Sequence, residues 1–358
     1  MSKFYPLSVA QVHKETRDTI AVTFAVPQEL QDAFHYQQGQ HLTLRAVIGG
    51  EDVRRSYSIC SAVQDNKLRV AIKRTQGGLF SSWANDNLKE GATLEVMPPM
   101  GHFNVPLDAA NRKHYLAFAA GSGITPILSI IKTTLLTEPH SSFTLFYGNR
   151  ASSSVIFKEE LSDLKDVYTG RLNLAYVMSR EQQDIELFNG RITKEKAAQF
   201  LQHWVNIEDI DVAFICGPED MMLGVSEALQ EAGLPKSQIK VELFAASIPK
   251  HQHKPRLAES AARHETEVTV IMDGNASTFT MDQDKESLLD AGLKAGIDMR
   301  YSCKGGVCST CRCKVLDGKV EMDVNYALED YEIARGYVLS CQSFPITDKV
   351  VIDFDQTE

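Results

Sequence analysis

Long apolar segments are missing from this chain of 358 residues. No run of 18 consecutive apolar residues occurs, and an α-helix needs roughly that length to cross the hydrocarbon core of a bilayer. The first residues also lack the positively charged stretch and the following apolar stretch that mark a secretory signal peptide. Internal repeats and low-complexity tracts are absent as well. The sequence therefore predicts a globular protein of the cytoplasm.

An excess of positive charge is missing too. The formal net charge is −10 at pH 7, which argues against nucleic acid as a partner because phosphate backbones attract basic surfaces. Most of the negative charge lies in residues 265–358, which contain 18 acidic and 9 basic side chains. Such a segment favours electrostatic steering toward a complementary protein surface, with simple solubility as the alternative.

The cysteines do not indicate a disulfide framework. Four of the seven follow the spacing C-x4-C-x2-C-x29-C, namely Cys303, Cys308, Cys311 and Cys341. This spacing is typical of plant-type [2Fe–2S] ligation, and reduced thiols favour a reducing compartment. A zinc site or four unrelated buried thiols is the alternative, because C-x2-C is also common in zinc ligation. The other cysteines are expected not to bind metal: Cys60, Cys216 and Cys313.

The residues around this motif predict a small α+β domain. Glu267–Thr280 reads as a strand pair around the turn Asp273-Gly274-Asn275. Ser287–Gly296 has apolar residues at helical spacing and ends at a glycine. Together with the cysteine loop, these segments resemble the plant-type ferredoxin domain, a β-grasp fold. Residues 247–264 contain two prolines and many charges, which predicts a linker before this domain.

The middle of the chain alternates between buried strands and helices. The apolar run Tyr115–Ala120 turns through Gly121-Ser122-Gly123 into a helix at Ile127–Leu136, and further strands and helices follow, among them a helix near Ile156–Leu164. This alternation predicts a parallel, doubly wound sheet with its ligand crevice at the carboxyl ends of the strands. A glycine turn before a helix is also an anion site. Candidate ligand-binding residues lie at strand ends: Gly121, Thr125, Cys216, Gly217 and Pro218. For Cys216, Gly217 and Pro218, the alternative is that they only end the strand and form the following loop.

Residues 1–103 differ, because short alternating strands separated by turn residues predict an antiparallel barrel. Arg55-Ser56-Tyr57-Ser58 places a cation and a phenol on one face of a strand. An arginine can bind a pyrophosphate, and a tyrosine can pack against a flat ring. Gly78-Leu79-Phe80-Ser81-Ser82 begins a helix with small residues, which is a second anion site. Taken alone, the first motif also fits an ordinary edge strand.

These motifs, in this order, resemble the ferredoxin–NADP reductase superfamily with a ferredoxin domain appended at the C-terminal side. The resemblance implies that FAD is bound by residues of the barrel: Arg55, Tyr57, Ser58, Gly78, Ser81 and Ser82. It implies that the nicotinamide nucleotide is bound at Gly121, Thr125, Cys216, Gly217 and Pro218. Ser179 and Arg180 resemble the segment that binds an adenosine 2′-phosphate, so NADPH is expected rather than NADH. For Arg180, an exposed cation at the start of a helix is the alternative.

The resemblance further implies a multidomain electron carrier without a catalytic acid or base of its own. Electrons would pass from NADPH to FAD, then to a [2Fe–2S] cluster and to the oxygenase subunits of a multicomponent monooxygenase. The expected partner is a diiron oxygenase that epoxidises phenylacetyl-CoA; another diiron or Rieske oxygenase, or a hybrid-cluster protein, stays open. The expected domains are a flavin barrel (1–105), an α/β nucleotide domain (106–246), a linker (247–264) and the ferredoxin domain (265–358).

Overall fold

The computed structural model describes residues 4–244, 265–283 and 285–356. The predicted linker at 247–264 lies outside the described residues. The described chain divides into two compact units. One contains Tyr5–Val53 and Tyr57–Leu243, and the other contains the described residues after Leu243 together with Phe4 and Arg54–Ser56. No helix among the described residues is long and apolar enough to span a membrane.

The N-terminal strands form a sheet in the order β4-β3-β6-β1-β2-β5. A bridge between Ile59 and Val70 joins the two ends of this order and closes a barrel. Apolar side chains fill its interior, including Leu7, Leu42 and Val70. The elements are β1 (Tyr5–Thr16), β2 (Thr19–Ala25), β3 (His41–Ile48), β4 (Glu51–Ser58), β5 (Leu68–Lys73), α1 (Leu79–Asn87) and β6 (Thr93–Val96). The barrel prediction is confirmed, and β6 is a strand that the sequence pattern did not reveal.

The same unit contains a parallel sheet in the order β11-β10-β7-β8-β9. Its elements are β7 (His114–Ala120), α2 (Ile124–Thr137), β8 (Ser142–Asn149), α3 (Lys158–Val167), β9 (Leu172–Met178), α4 (Lys194–His203), β10 (Ile210–Gly217), α5 (Glu219–Glu231) and β11 (Ile239–Leu243). The predicted alternation is confirmed, and α5 and β11 extend it. The strand order reverses between β7 and β10, and a ligand crevice is expected at such a reversal.

Two helix starts differ from the sequence prediction. Helix α2 begins at Ile124 rather than Ile127 and so includes Pro126 in its first turn, where a missing N–H costs nothing. Helix α3 begins at Lys158 rather than near Ile156, because Phe157 has a left-handed backbone conformation with φ = 60°. Strand β7, which precedes α2, still ends at Ala120 as the sequence predicts.

Polar contacts join the barrel to the parallel-sheet part inside this unit. The Ser129 hydroxyl donates to the Ser61 carbonyl at 2.7 Å. Lys132 forms ion pairs with Asp65 at 2.6 Å and with Glu160 at 2.7 Å, and its side chain is mostly buried. Because these groups are shielded from solvent, we infer that the pairs hold the two parts in one arrangement.

The second unit is built on a mixed sheet in the order β13-β12-β18-β14-β16, with β15 and β17 paired separately. Its elements are β12 (Glu265–Met272), β13 (Asn275–Asp282), α6 (Leu288–Lys294), β14 (Arg312–Asp317), β15 (Val320–Met322), α7 (Asp330–Ala334), β16 (Tyr337–Leu339), β17 (Ser343–Pro345) and β18 (Lys349–Asp353). The predicted hairpin is confirmed, with positive φ at both turn residues, Asp273 and Gly274. Leu288 and Leu289 of α6 pack into the core on this sheet.

Candidate functional site

The four spaced cysteines lie close together in the second unit. Cys303, Cys308 and Cys311 occupy the loop between α6 and β14, and Cys341 lies in the short turn after β16. The pKa of the Cys303 thiol is raised by its hydrogen bond with Cys308 and then by burial. The pKa of Cys311 is raised in the same way by Cys341 and then by burial. The thiols are therefore arranged as two neighbouring pairs.

This arrangement fits a binuclear cluster. A [2Fe–2S] cluster held by four cysteines uses two thiolates on each iron, and the pairs 303/308 and 311/341 supply that donor set. In the described part of the chain, no three His, Cys, Asp or Glu side chains are grouped as ligands of a single ion. The backbone N–H of Gly305 also donates to the Cys303 sulfur at 3.3 Å, the kind of contact that tunes a cluster.

The cysteine loop has an unusual backbone. Lys304, Gly306 and Ser309 all have positive φ, at 54°, 76° and 50°. This conformation is uncommon for residues other than glycine and is typical of functional loops. Cys313, by contrast, is buried on β14 within the core, and burial is the main reason that its pKa is raised. We infer that the loop is shaped to wrap the four paired thiols and that Cys313 is a packing residue.

The predicted flavin residues lie on β4 and at the start of α1. Arg55 is exposed and Ser58 is buried. The centroid of the Tyr57 ring lies 5.7 Å from the centroid of the Phe80 ring. Gly78 precedes α1, and a Cβ there would lie only 2.2 Å from the Thr75 hydroxyl, so a side chain does not fit. The structure thus brings a guanidinium, a phenol and a helix N-terminus onto the same barrel.

Ser81 and Ser82 have different surroundings at this helix start. The Ser81 hydroxyl is buried and hydrogen-bonds the Thr75 hydroxyl at 3.0 Å. Ser82 is half-buried, and its backbone N–H donates to the Gly78 carbonyl at 3.1 Å. The Ser81 side chain therefore stabilises the turn that exposes the helix N-terminus.

The predicted nicotinamide residues meet where the strand order reverses. Gly121 follows β7 with φ = +53°, and Thr125 donates from its hydroxyl to the Ser122 carbonyl at 3.0 Å. A Cβ on Gly123 would lie 2.1 Å from the carbonyl oxygen of Cys216 on the neighbouring strand β10. Glycine at this position lets the first turn of α2 approach β10 closely. Gly217 ends β10, and Pro218 immediately precedes α5.

Ser179 and Arg180 lie at the far edge of the same sheet. They follow β9, and their N–H groups donate to the carbonyls of Asn149 and Arg150 at 2.9 and 2.7 Å. Arg180 and Arg150 are both exposed, so two guanidinium groups follow adjacent strands. Arg150 was not predicted as a site residue, although a cation directly after a strand was a usable signal.

Glu242 is a second residue that sequence analysis missed. It lies on β11 opposite Cys216 of β10 in the parallel register, and it accepts a hydrogen bond from the Ser58 hydroxyl at 3.2 Å. Burial raises its pKa to about 8, and the Ser58 contact opposes this shift. Burial and the charge of Glu242 also raise the pKa of Cys216. The three residues form a cluster that can hold a proton at the carboxyl group near neutral pH.

The raised pKa of Glu242 predicts a specific pH dependence of stability. Folding favours the protonated carboxyl of Glu242. Its contribution to the free energy of unfolding is therefore complete below pH 4.5 and is lost as the pH rises to about 8. Glu242→Gln has no group to ionise. The stability of the variant relative to the wild type should therefore increase by about 1.4 kcal/mol per pH unit within this window.

Thermal unfolding of the purified flavoprotein between pH 5 and 9 measures this trend. Glu208→Gln, at an exposed acidic position before β10, controls for the change in charge alone. If the difference between Glu242→Gln and the wild type is constant with pH, the carboxyl ionises equally in both folded and unfolded chains and the assignment is wrong.

Three domain families match the chain in sequence. Residues 6–105 match the oxidoreductase FAD-binding domain, residues 118–227 the oxidoreductase NAD-binding domain, and residues 270–345 the 2Fe-2S iron-sulfur cluster binding domain. The three matches follow the order of the barrel, the parallel sheet and the cysteine loop in the fold.

Two curated relatives match the chain over almost the whole of both sequences. The chain is 48% identical to a component of the 1,2-phenylacetyl-CoA epoxidase of Escherichia coli (strain K12), over 99% of both proteins. It is 38% identical to the ferredoxin reductase component of 3-ketosteroid-9-alpha-monooxygenase of Rhodococcus rhodochrous, over 97% of this chain and 96% of that protein. The solved structure of phthalate dioxygenase reductase has the same fold, with a TM-score of 0.58, 23% identity and 98% coverage of both chains.

Proposed function

This chain belongs to the family of oxygenase reductase components that join FAD-binding, NAD-binding and [2Fe–2S] domains, and we propose that it supplies electrons from NADPH to the oxygenase of a phenylacetyl-CoA epoxidase. The observation that carries the proposal is the 48% identity over 99% of the chain to a component of such an epoxidase. The proposed domains are residues 1–105, 106–246 and 265–358, and residues 247–264 are the proposed linker. The proposed location of the protein is the cytoplasm.

The cofactors supply the redox chemistry: a nicotinamide gives two electrons as hydride, a cluster accepts one, and a flavin can exchange either. The residues of the chain bind and orient these groups. Exposed Arg55 is suited to a pyrophosphate and Tyr57 to a flat ring. The N-terminus of α2 after Gly121 is suited to a nucleotide phosphate.

Two polar groups can act near the reacting atoms. Ser58 joins the proposed flavin strand β4 to Glu242, which neighbours the proposed nicotinamide residue Cys216. A carboxyl that is protonated near neutral pH can still accept the Ser58 hydrogen bond through its unprotonated oxygen, and it adds no negative charge. We infer that this neutral carboxyl orients Ser58 and places no negative charge beside the position where hydride is delivered.

The proposed nucleotide is NADPH. Arg180 is exposed at the carboxyl edge of the sheet, where its planar guanidinium is suited to the oxygens of a 2′-phosphate. Ser179, the preceding residue, adds a hydroxyl. NADH lacks the phosphate, so it would gain nothing from the charge of Arg180.

Reconstitution with purified oxygenases tests the proposed acceptor. With the oxygenase subunits of a phenylacetyl-CoA epoxidase, the protein should support NADPH-dependent consumption of phenylacetyl-CoA coupled to nucleotide oxidation. The oxygenase component of a 3-ketosteroid monooxygenase is the matched control. Faster turnover with that control would assign the chain to a different oxygenase.

The acidic charge of residues 265–358 predicts how this transfer depends on salt. Screening shortens to about 8 Å at physiological ionic strength, so electron delivery to the oxygenase should slow as salt increases. Reduction of the flavin by NADPH, measured on the same sample by stopped flow, is the internal control for a general effect of salt on the protein. A delivery rate that does not change with salt would make the acidic surface a solubility feature only.

A further inference from the structure

Two loops at the carboxyl edge of the parallel sheet are joined by one acidic residue. Glu181 belongs to the loop after β9, and Ser152 belongs to the turn after β8. The Glu181 carboxylate accepts the backbone N–H of Ser152 through Oε2 at 2.7 Å and the Ser152 hydroxyl through Oε1. A single residue of the neighbouring loop therefore engages both carboxylate oxygens.

This link lies directly beside the proposed site for the adenosine ribose. Strands β8 and β9 run parallel, and the N–H of Arg180 donates to the Arg150 carbonyl at 2.7 Å beyond the ends of both strands. Glu181 is the next residue along the chain after Arg180. The Arg180 side chain is exposed, whereas the Glu181 carboxylate is held against Ser152.

The two neighbouring side chains would favour different nucleotides. A carboxylate beside the ribose accepts hydrogen bonds from its hydroxyls and selects the nucleotide without a 2′-phosphate, whereas an arginine accommodates the phosphate. A carboxylate with unengaged oxygens would also repel the phosphate by its charge. The nucleotide preference therefore depends on which of the two groups reaches the 2′-position.

We propose that Ser152 sets the preference for NADPH by holding the Glu181 carboxylate, so that only Arg180 meets the 2′-position. This inference rests on the proposed function, because it requires the adenosine ribose to bind beside Ser179 and Arg180. The pKa of Glu181 is lowered, first by the Ser152 hydroxyl and then by the Ser152 N–H. The held group is therefore an anion, and Ser152 acts on it as a positioning residue.

Ser152→Ala tests the proposal, because it removes the hydroxyl donor and keeps the N–H. The measured quantities are the dissociation constants of NADP⁺ and NAD⁺ on the purified holoprotein, and kcat/KM for NADPH and NADH with ferricyanide as acceptor. The preference for the phosphorylated nucleotide should fall about tenfold, the size expected for one charge-assisted hydrogen bond. The dissociation constant of NAD⁺ should stay equal or decrease.

A second substitution separates charge from loop structure. In Ser152→Ala/Glu181→Gln the released side chain carries no charge, so the preference should return to within about threefold of the wild type. Ser154→Ala is the matched control in the same turn. The Ser154 hydroxyl hydrogen-bonds the backbone of Ala151, accepting from its N–H at 3.1 Å and donating to its carbonyl at 2.7 Å. This control should leave the preference unchanged.

The alternative outcomes are distinct. If Ser152→Ala weakens both nucleotides equally, and Glu181→Gln does not restore the preference, the link only stiffens the loops and the proposal is overturned. An unchanged preference in Ser152→Ala overturns it as well. Arg180→Ala, measured in parallel, identifies the source of a failure. If Arg180→Ala loses the discrimination between the nucleotides, only the role of Ser152 is wrong; if it still discriminates as the wild type does, the proposed ribose position is wrong too.

Discussion

Replacing Cys341 by Ala should abolish the [2Fe–2S] cluster while NADPH still reduces the flavin. Cys341 is one member of the pair with Cys311, so its loss leaves one iron with a single protein thiolate. The proposed flavin and nucleotide residues from Tyr57 onward belong to the other compact unit, and compact units of this size usually keep their own fold. The visible absorption and electron paramagnetic resonance of the cluster should disappear, and stopped-flow reduction of the flavin should stay within about twofold of the wild type.

Cys313→Ala is the control for this experiment. Cys313 is a buried thiol two residues beyond Cys311, and it is expected to contribute to packing alone. Its replacement should lower the melting temperature slightly, because a small buried side chain is truncated, and leave the cluster signal intact. A normal cluster in Cys341→Ala, or a lost cluster in Cys313→Ala, would show that the ligand assignment is wrong.

Arg180→Ala should raise KM for NADPH by roughly ten- to a hundredfold and change KM for NADH little. The physical reason is the loss of a charge-assisted contact with the 2′-phosphate, worth about 1.5–3 kcal/mol. NADH has no such phosphate. Steady-state kinetics with both nucleotides and an artificial acceptor give the two KM values on the same preparation.

Arg17→Ala, at an exposed arginine in the turn between β1 and β2, controls for the loss of one positive charge. It should leave both KM values unchanged. Equal losses for NADPH and NADH in Arg180→Ala would indicate a disturbed loop instead of a lost phosphate contact. A wild-type protein that prefers NADH would contradict the proposed nucleotide directly.

The sequence determined the parts of this protein whose residues are close together along the chain. The ligands Cys303, Cys308 and Cys311 span nine residues, and the spacing of such a loop limits which cluster it can surround. The motifs at Arg55 and Gly121 are local for the same reason, because each consists of residues that are adjacent along the chain. The alternation of strands and helices also predicted the parallel sheet, since buried strands and amphipathic helices have different periods.

Only the tertiary structure identified the contacts between distant segments. Ser58 and Glu242 are 184 residues apart, and Glu242 occurs in a short strand whose sequence differs little from any exposed strand. Glu181 and Ser152 meet because β8 and β9 are neighbours in the sheet. The sequence alone does not distinguish one glutamate carboxyl group from another. Its charge, its pKa and its partner are determined by burial and by neighbouring groups, and these depend on the packing of strands that are remote along the chain.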